Sequence, residues 1–317
     1  MRPCRVVSRA VARALTFVLG VALGLVLGVL APATAHAQAW VGDKGSLDVN
    51  LDYNLAISSK VIRDADLDDL PDAGSTTHEI VLGGEYVIMP KLAASVSLPL
   101  SLLKYTGNKT MYTHGGGGKY DDGNTHATLT DLKAAVRYQL LEEPVAFSPH
   151  VGFSIPVADY ETVGNTVAGR HLKALQVGFS VGRRLTDALY AHLFYEFSLV
   201  ERYDRTELTH LAGQNRSDAA ITIGYKLLDQ RLDIHIDGAG RITHGGWKFS
   251  EFGTILTDEE IMFHDPILAE NIFLAGGGVS YQITDSIAAN LGGRLFVAGR
   301  NTQNASVIAA GVSWSAL

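Results

Sequence analysis

Hydrophobic and polar residues alternate along most of this chain with a period of two. From position 46 to 55 the sequence reads SLDVNLDYNL, with hydrophobic side chains at the odd positions and Asp or Asn at the even positions from 48 onward. Successive side chains of a β-strand point to opposite faces, so this pattern predicts a strand with one apolar and one polar face. A soluble sandwich would turn the apolar face inward, whereas a membrane barrel would turn it toward lipid and line its lumen with the polar face.

Twelve segments of this kind follow one another, with no amphipathic helix between them. Each is long enough to cross a bilayer as a tilted strand, which needs about 9 to 11 residues. They lie near 45–60, 77–88, 92–104, 127–140, 145–157, 171–184, 188–203, 216–227, 231–242, 270–283, 286–299 and 304–317.

The connections between these segments alternate strictly between short and long. The short ones are predicted tight turns at 89–91, 141–144, 185–187, 228–230 and 284–285. The longer links, mostly polar and rich in Gly and Asp, are 61–76, 105–126, 158–170, 204–215 and 243–269, followed by the shorter 300–303. Outer-membrane barrels have short periplasmic turns and longer extracellular loops, so the alternation favours a twelve-stranded antiparallel transmembrane barrel over a soluble sandwich. An even strand number returns both termini to the periplasm.

Aromatic residues recur on the apolar face at one height. Tyr86, Tyr138, Tyr225 and Tyr281 each precede a tight turn by about three residues, and Trp314 lies on the last strand. Strand propensity alone would not fix a common height. We therefore predict an aromatic girdle at the membrane interface. Gly311, Trp314 and Ala316 also resemble the terminal assembly signal of such barrels, although the chain ends in Leu317 rather than an aromatic residue.

The first 37 residues have the pattern of a secretory signal peptide. A basic region with four arginines precedes an apolar run over 15–30, and Ala35-His36-Ala37 fits the small-x-small cleavage rule. The alternative is a retained membrane helix, because Gly20, Gly24 and Gly28 have the spacing of dimerising helices. The immediately following cleavage site favours a signal peptide over 1–37 and a barrel over 38–317.

Export makes the chain more acidic and removes its only cysteine. The precursor has a formal charge of −7, and loss of four arginines leaves 22 basic against 33 acidic residues, a charge of −11. This balance argues against nucleic-acid binding. Cys4 lies in the basic region, so the mature chain cannot form disulfides.

The polar faces of the strands predict a charged lumen. Charges of both signs in a narrow lumen would pair, because an unpaired charge in a low dielectric costs several kcal/mol. Two interpretations remain open, a network that braces the wall and a network that also lines a pathway. The predicted lumen residues are Glu85, Asp131, Lys133, Arg137, Arg184, His192, Glu196, Lys226, Asp233, His235, Asp237, Arg241 and Arg294.

Aromatic and small residues share the same predicted lumen face. Tyr190, Phe194 and Phe296 lie there beside glycines such as Gly178 and Gly276. Small residues leave space that could hold an amphipathic solute, although glycine in a strand also serves bending and close packing. The wall begins within ten residues of position 38, so no N-terminal plug is expected, and the candidate gating loops are 105–126 and 243–269.

A family resemblance covers mainly residues 92–200. Thr130-Asp131-Leu132, the later Tyr138-Gln139-Leu140-Leu141, and PHVGFSIP at 149–156 resemble an outer-membrane family described as proteins of the meta-pathway of phenol degradation. The resemblance implies a barrel that passes hydrophobic or aromatic compounds across the outer membrane. Val157-Ala158 departs from the Thr-Gly or Ser-Gly that the family has after its proline, so substrate preference does not transfer.

Three further patterns suggest chemistry without completing a motif. The glycine run within 114–126 lacks the Gly-Lys-Ser/Thr ending of a phosphate loop. Asp64, Asp66 and Asp68 have calcium-loop spacing, but Asp69 and Ser75 occupy the positions that need Gly and a carboxylate. Weak divalent binding that bridges lipopolysaccharide phosphates is one hypothesis for this loop, and a solvated acidic loop is the other.

The histidines give no metal-binding spacing, and neither a metal nor a cofactor is expected. His192, Glu196 and Ser198 supply the ingredients of a barrel hydrolase without its signature.

Together these patterns predict a bacterial outer-membrane channel for small solutes, including hydrophobic or aromatic ones, and not an enzyme. The predicted partners are outer-membrane lipid and lipopolysaccharide, the barrel-assembly machinery and a small-molecule solute. The alternatives are the barrel hydrolase and a non-conducting structural or adhesive barrel.

Overall fold

The computed structural model describes residues 39–64, 68–108, 118–201, 214–251 and 264–316. The predicted signal peptide lies outside these ranges, as do Asp66 and most of the glycine run. No helix within the described ranges is long and apolar enough to span a membrane.

The fold is an antiparallel β-barrel whose wall closes on itself. Its strands are β1 (Leu47–Ile57), β4 (Ser75–Met89), β5 (Leu92–Tyr105), β6 (Thr125–Leu129), β7 (Asp131–Tyr138), β8 (Ala146–Pro156), β9 (Ala174–Arg184), β10 (Leu189–Val200), β11 (Asn215–Leu227), β12 (Leu232–His244), β13 (Asn271–Gln282), β14 (Ile287–Arg300) and β16 (Ser306–Ala316). β6 and β7 both pair with β5 and form one wall strand interrupted at Thr130. Sequential neighbours pair throughout, and β1 pairs with both β4 and β16. The twelve-stranded all-β barrel predicted from the sequence is confirmed.

Alternation along each strand separates an apolar outer face from a polar inner face. On β11, Ile221 and Ile223 are exposed outside, whereas Thr222 and Gly224 face the interior. Leu51 on β1 is likewise exposed, and its neighbours Asn50 and Asp52 are buried. The apolar side chains that the opening pattern placed on one face therefore form the outer surface, as in a membrane barrel.

The two ends of the barrel differ in the length of their connections. At the end that we call the turn end, short connections join β4 to β5, β7 to β8, β9 to β10, β11 to β12 and β13 to β14. The β11–β12 turn places Leu228, Asp229 and Gln230 at positive φ. β1 begins and β16 ends at this same end, where Leu47 pairs with Ala316.

The opposite end, which we call the loop end, carries additional packed structure. A small sheet consists of β2 (Lys60–Ile62), β3 (Leu70–Pro71) and β15 (Thr302–Gln303). A 3₁₀ turn over Phe249–Glu251 and the short helix α1 (His264–Ile267) lie beside it. Val61, Ala73, Phe249 and Leu268 form a buried apolar cluster there, so this end has a hydrophobic core of its own.

The residues of the predicted aromatic girdle all lie on the outer face near the turn end. They are 44–48% exposed, and their register partners adjoin the turns, such as Leu47 opposite Tyr86 and Leu92 opposite Tyr138. These residues are Tyr86, Tyr138, Tyr225, Tyr281 and Trp314. Contact with the membrane interface remains a prediction for them.

A charge on the middle of the outer face should destabilise the membrane-inserted barrel. Ile221→Arg, at a position 53% exposed at mid-strand, is expected to lower the free energy of unfolding by about 2–4 kcal/mol. Leu185→Arg, in the tight turn after β9, should cost about 0–1 kcal/mol because it lies near the interface. Urea titration of the barrel refolded into phospholipid vesicles measures both. Equal losses would contradict the assignment of the outer face to lipid.

Candidate functional site

An ion pair lies on the inner wall between β4 and β7. The Arg137 guanidinium donates its Nε–H to one Glu85 carboxylate oxygen at 2.9 Å and its Nη2–H to the other at 2.5 Å. Both side chains are largely buried. The bidentate geometry satisfies both carboxylate oxygens, which is the condition under which a buried pair is tolerated.

Two further ion pairs reach across an inner-wall glycine. Arg294 on β14 donates to Asp237 on β12 at 3.0 Å, and Gly276 lies between them in register. His150 on β8 lies 3.2 Å from Glu196 on β10, with Gly178 between them. A Cβ on Gly178 would lie 2.6 Å from the His150 ring. The absence of a side chain on the middle strand therefore lets charged partners two strands apart meet.

These contacts revise the expectation that inner-wall glycines leave space for a solute. Tyr190 lies over Gly224, since a Cβ there would come within 2.2 Å of the phenol ring. His235 lies against Gly278 in the same way, at 3.0 Å. The space left by these glycines is filled by neighbouring polar and aromatic side chains, which is the close-packing role of glycine in strands.

The predicted lumen aromatics also contact charged or ring neighbours. The Tyr190 hydroxyl donates to Asp233 at 3.0 Å, and His235 lies 3.5 Å from the same carboxylate. The Phe194 ring stacks on His150 with a 5.5 Å centroid separation. Phe296 is the inner-wall residue of β14 opposite Leu274.

A larger charge cluster lies toward the loop end. Arg241 donates to Asp218 at 2.7 Å, Arg216 lies 3.5 Å from the same carboxylate, and Glu270 lies 4.0 Å from Arg241. Of these four residues the sequence analysis named only Arg241. The alternation that assigned Lys226 to the lumen also places Arg216 and Asp218 of the same strand there. The sequence pattern alone could therefore have identified these two residues.

The remaining predicted lumen residues occupy different levels of the interior. Lys226 is opposite Asp233 in the β11–β12 register, and His192 is buried opposite Gly182. Asp131 and Lys133 on β7 line a cavity toward the loop end. The described part of the inner wall thus brings most of the predicted charges into pairs at several heights rather than into a single site.

A cavity of about 440 Å³ lies in the lumen toward the loop end. Residues from strands on opposite sides of the wall line it, including Thr77 of β4, Gln176 of β9 and Arg241 of β12. Its volume lies in the range of small-molecule sites, about 300–1,000 Å³. The cavity is therefore a space inside the barrel and not a groove on its surface.

Residues 158–173, which we call the inner loop, help to enclose this cavity. Residues 165–170 line it. Asp121 accepts hydrogen bonds from the backbone N–H groups of Asn165 at 2.7 Å and Thr166 at 2.9 Å. Burial raises the pKa of the Asp121 carboxyl, and these hydrogen bonds oppose the shift. The gating candidates named from the sequence omitted this segment, because its composition does not show that it folds inward.

Tyr160 connects the inner loop to the barrel wall. Its hydroxyl donates to Asp131 at 2.5 Å and accepts from the backbone N–H of His171 at 2.9 Å. Burial, followed by the neighbouring Asp131 carboxylate, raises the pKa of Tyr160. The hydroxyl therefore stays protonated and able to donate at any physiological pH.

The N-terminal segment Ala39–Val41, which we call the strap, lies inside the mouth at the turn end. The Ser148 hydroxyl on β8 donates to the Ala39 carbonyl at 2.6 Å, and the Gln139 side chain accepts from the Val41 N–H at 2.8 Å. Trp40 lies against Gly182 on β9, with the Arg184 guanidinium 5.5 Å from its ring. Because β9 lies five strands from β1 in the wall, the strap crosses the mouth. The sequence predicted no N-terminal plug, and it gave no sign that these three residues lie inside the mouth.

The hydrolase ingredients on β10 do not assemble into a catalytic unit. His192 and Ser198 are six residues apart on one strand, roughly 20 Å at the usual rise. Glu196 instead contacts His150 and Gln176. The buried Ser198 hydroxyl has no hydrogen-bond partner among the described residues, so no base contacts it there.

In the acidic link 61–76 after β1, the carboxylates of Asp64 and Asp69 make contacts within the protein. Asp64 accepts a hydrogen bond from the backbone N–H of Ser250 at 3.1 Å, and Asp69 pairs with Lys60 at 2.6 Å. Within the described ranges, no cluster of three His, Cys, Asp or Glu side chains has metal-binding geometry. Asp66 is outside those ranges, so the calcium hypothesis remains untested.

Removing one partner of the buried Glu85–Arg137 pair should be costly. Arg137→Met leaves the Glu85 carboxylate uncompensated, and we expect the free energy of unfolding to fall by about 3–5 kcal/mol. The double variant Glu85→Gln/Arg137→Met should recover most of that loss. Arg231→Met, at an exposed arginine in the β11–β12 turn, is the matched control. Urea unfolding in vesicles measures all four proteins, and a single variant as stable as the control would refute the pairing.

No protein-family model matches the sequence, and no curated protein matches it. Similarity is found among solved structures. An outer-membrane channel from Pseudomonas putida F1 superposes with a TM-score of 0.67 at 11% identity, covering 90% of this chain and 100% of the channel. The NanC porin superposes with a TM-score of 0.50 at 11% identity, covering 84% of this chain and 98% of the porin.

At identities this low, the similarity shows a shared fold and nothing further. Membership in the phenol-degradation family therefore remains a prediction. The chain has the closed barrel fold found in outer-membrane channels and porins.

Proposed function

We propose that this protein is a channel for small solutes in the outer membrane of a Gram-negative bacterium. The observation that carries the proposal is a closed barrel with an apolar outer face and a polar lumen that contains the cavity of about 440 Å³. A lipid-facing exterior accounts for the exposed leucines, isoleucines and valines of the wall. The fold shared with a known outer-membrane channel supports the same role.

The proposed orientation places the turn end in the periplasm and the loop end outside the cell. Short periplasmic turns and longer extracellular loops are the rule for such barrels. Both termini would then be periplasmic, as export through residues 1–37 and insertion by the barrel-assembly machinery require. The acidic outer loops would lie near lipopolysaccharide.

Solutes would enter at the loop end and reach the cavity first. Hydrophobic or aromatic solutes are included among them, because the apolar cluster of Val61, Phe249 and Leu268 contributes to the cavity lining. Beyond the cavity the path narrows at the Glu85–Arg137 pair and then at Trp40 of the strap. Inner side chains decide how far a barrel of this size conducts.

A non-conducting structural barrel is the second candidate, and a specific observation favours it. Ion pairs at several heights and the strap occupy the lumen between the cavity and the turn-end mouth. A barrel braced in this way would need no open path. Solute flux separates the two roles.

Swelling of proteoliposomes tests the channel directly. Vesicles containing the refolded barrel are diluted into isotonic glycine, arabinose or raffinose, and light scattering follows solute entry. A channel predicts swelling that slows as the solute becomes larger. Rates equal to those of protein-free vesicles, with folding shown by heat-shifted gel mobility, would favour the non-conducting barrel.

Loss of the Trp40 side chain should increase solute flux through the turn-end mouth. Trp40→Ala removes the ring that covers Gly182, and we expect swelling about twofold faster or more, because pore-lining side chains set the permeation barrier. Trp314→Ala, which removes the same side chain from the outer face, is the matched control and should leave the rate unchanged. Equal rates in the two variants would contradict a constriction at the strap.

A further inference from the structure

The cavity combines an apolar lining with basic side chains. The loop-end structure contributes Val61, Phe249 and Leu268, which belong to the buried apolar cluster. The barrel strands contribute Lys133 from β7 and Arg216 from β11, which lie four strands apart in the wall. One enclosed space therefore offers both hydrophobic surface and positive charge.

The acidic residues that the structure describes around this space already have partners. Asp218 is shared by Arg241 at 2.7 Å and Arg216 at 3.5 Å. Glu270 accepts from the Thr302 hydroxyl at 2.7 Å, and Asp131 accepts from Tyr160. Glu79, also in the lining, accepts from the Asn54 amide at 3.2 Å.

Lys133 lies close enough to this cluster to act electrostatically on Asp218 but does not contact it directly. Within the described residues its ammonium group makes no ion pair within 4 Å and no hydrogen bond, and the side chain is exposed to the cavity. Arg216, by contrast, is held by Asp218, whose carboxylate lies 3.5 Å from its buried Nε. Lys133 therefore retains donor capacity that no described carboxylate uses.

We propose that the cavity binds a small organic carboxylate whose apolar body packs against the Val61, Phe249 and Leu268 lining and whose carboxylate pairs with Lys133. This inference rests on the proposed channel function and names the solute class that the channel selects. An aromatic or aliphatic monocarboxylate fits the volume and the lining.

The positive charge of Lys133 disfavours neutral apolar solutes and cationic solutes. A neutral apolar solute would displace water from the ammonium group without replacing its hydrogen bonds, which is unfavourable. A cationic solute would be repelled. A carboxylate restores charge-assisted hydrogen bonds to the ammonium while its hydrocarbon part gains from burial.

Fluorine NMR of refolded barrel in detergent micelles tests this proposal, with protein-free micelles as the blank. The probes are 4-fluorobenzoate and its neutral counterpart 4-fluorobenzyl alcohol, each followed by its change in line width with protein concentration. We expect saturable broadening for the carboxylate only. Lys133→Gln should weaken its affinity about tenfold, the effect of losing one charge-assisted hydrogen bond.

The matched control is Lys173→Gln, which removes an ammonium that is 68% exposed on the outer side of the inner loop and pairs with Glu201. It should bind 4-fluorobenzoate as the wild type does. Equal binding of the alcohol and the carboxylate, no saturable binding to folded barrel, or equal losses in the two lysine variants would each overturn the proposal.

The outcomes are separable from those of the channel experiment. Vesicle swelling without carboxylate binding would support the channel function and refute carboxylates as its solute class. Saturable carboxylate binding without swelling would establish the site in a barrel that does not conduct.

Discussion

The structure depends on one constraint, that every backbone hydrogen-bonding group within a lipid bilayer must find a partner inside the protein. The wall meets it by pairing β1 with β4 on one side and β16 on the other, so the sheet has no free edge. Closure fixes the register, and a shift of one residue would turn Leu51 inward and Asp52 toward lipid. The separation of an apolar exterior from a charged interior follows from that closure.

A charged interior imposes a second requirement, because each buried charge needs an opposite charge or a hydrogen-bond partner. The wall achieves this through small residues, since Gly178 and Gly276 let charged groups two strands apart come within 3.2 Å of each other. The pairs lie at several heights of the inner wall, and the cavity of about 440 Å³ lies toward the loop end. There the inner loop and the apolar cluster enclose the cavity, while the strap covers the opposite mouth.

Much of the fold could be predicted from the sequence because its information is local. The alternation of segment 46–55 and the lengths of the turns determine the strands and the faces without knowledge of distant contacts. Pairings such as Glu85 with Arg137 could not be read in this way, because they depend on the register of an intervening strand. The strap and the inner loop carry no periodicity, and the inward position of Trp40 follows from Gly182 and Ser148, far away in sequence. Lys133 was assigned to the lumen, but that no described residue within 4 Å pairs with it is visible only once its neighbours are known.

A channel requires a continuous polar path from the cavity past the Glu85–Arg137 pair and the strap to the turn-end mouth. Single-channel recording of refolded residues 38–317 in a planar bilayer tests for this path. We expect discrete current steps in the wild type and a changed ion selectivity in Arg294→Ala, which removes a charge from the inner wall. A silent bilayer, from protein shown to be a folded barrel by heat-shifted gel mobility, would contradict it.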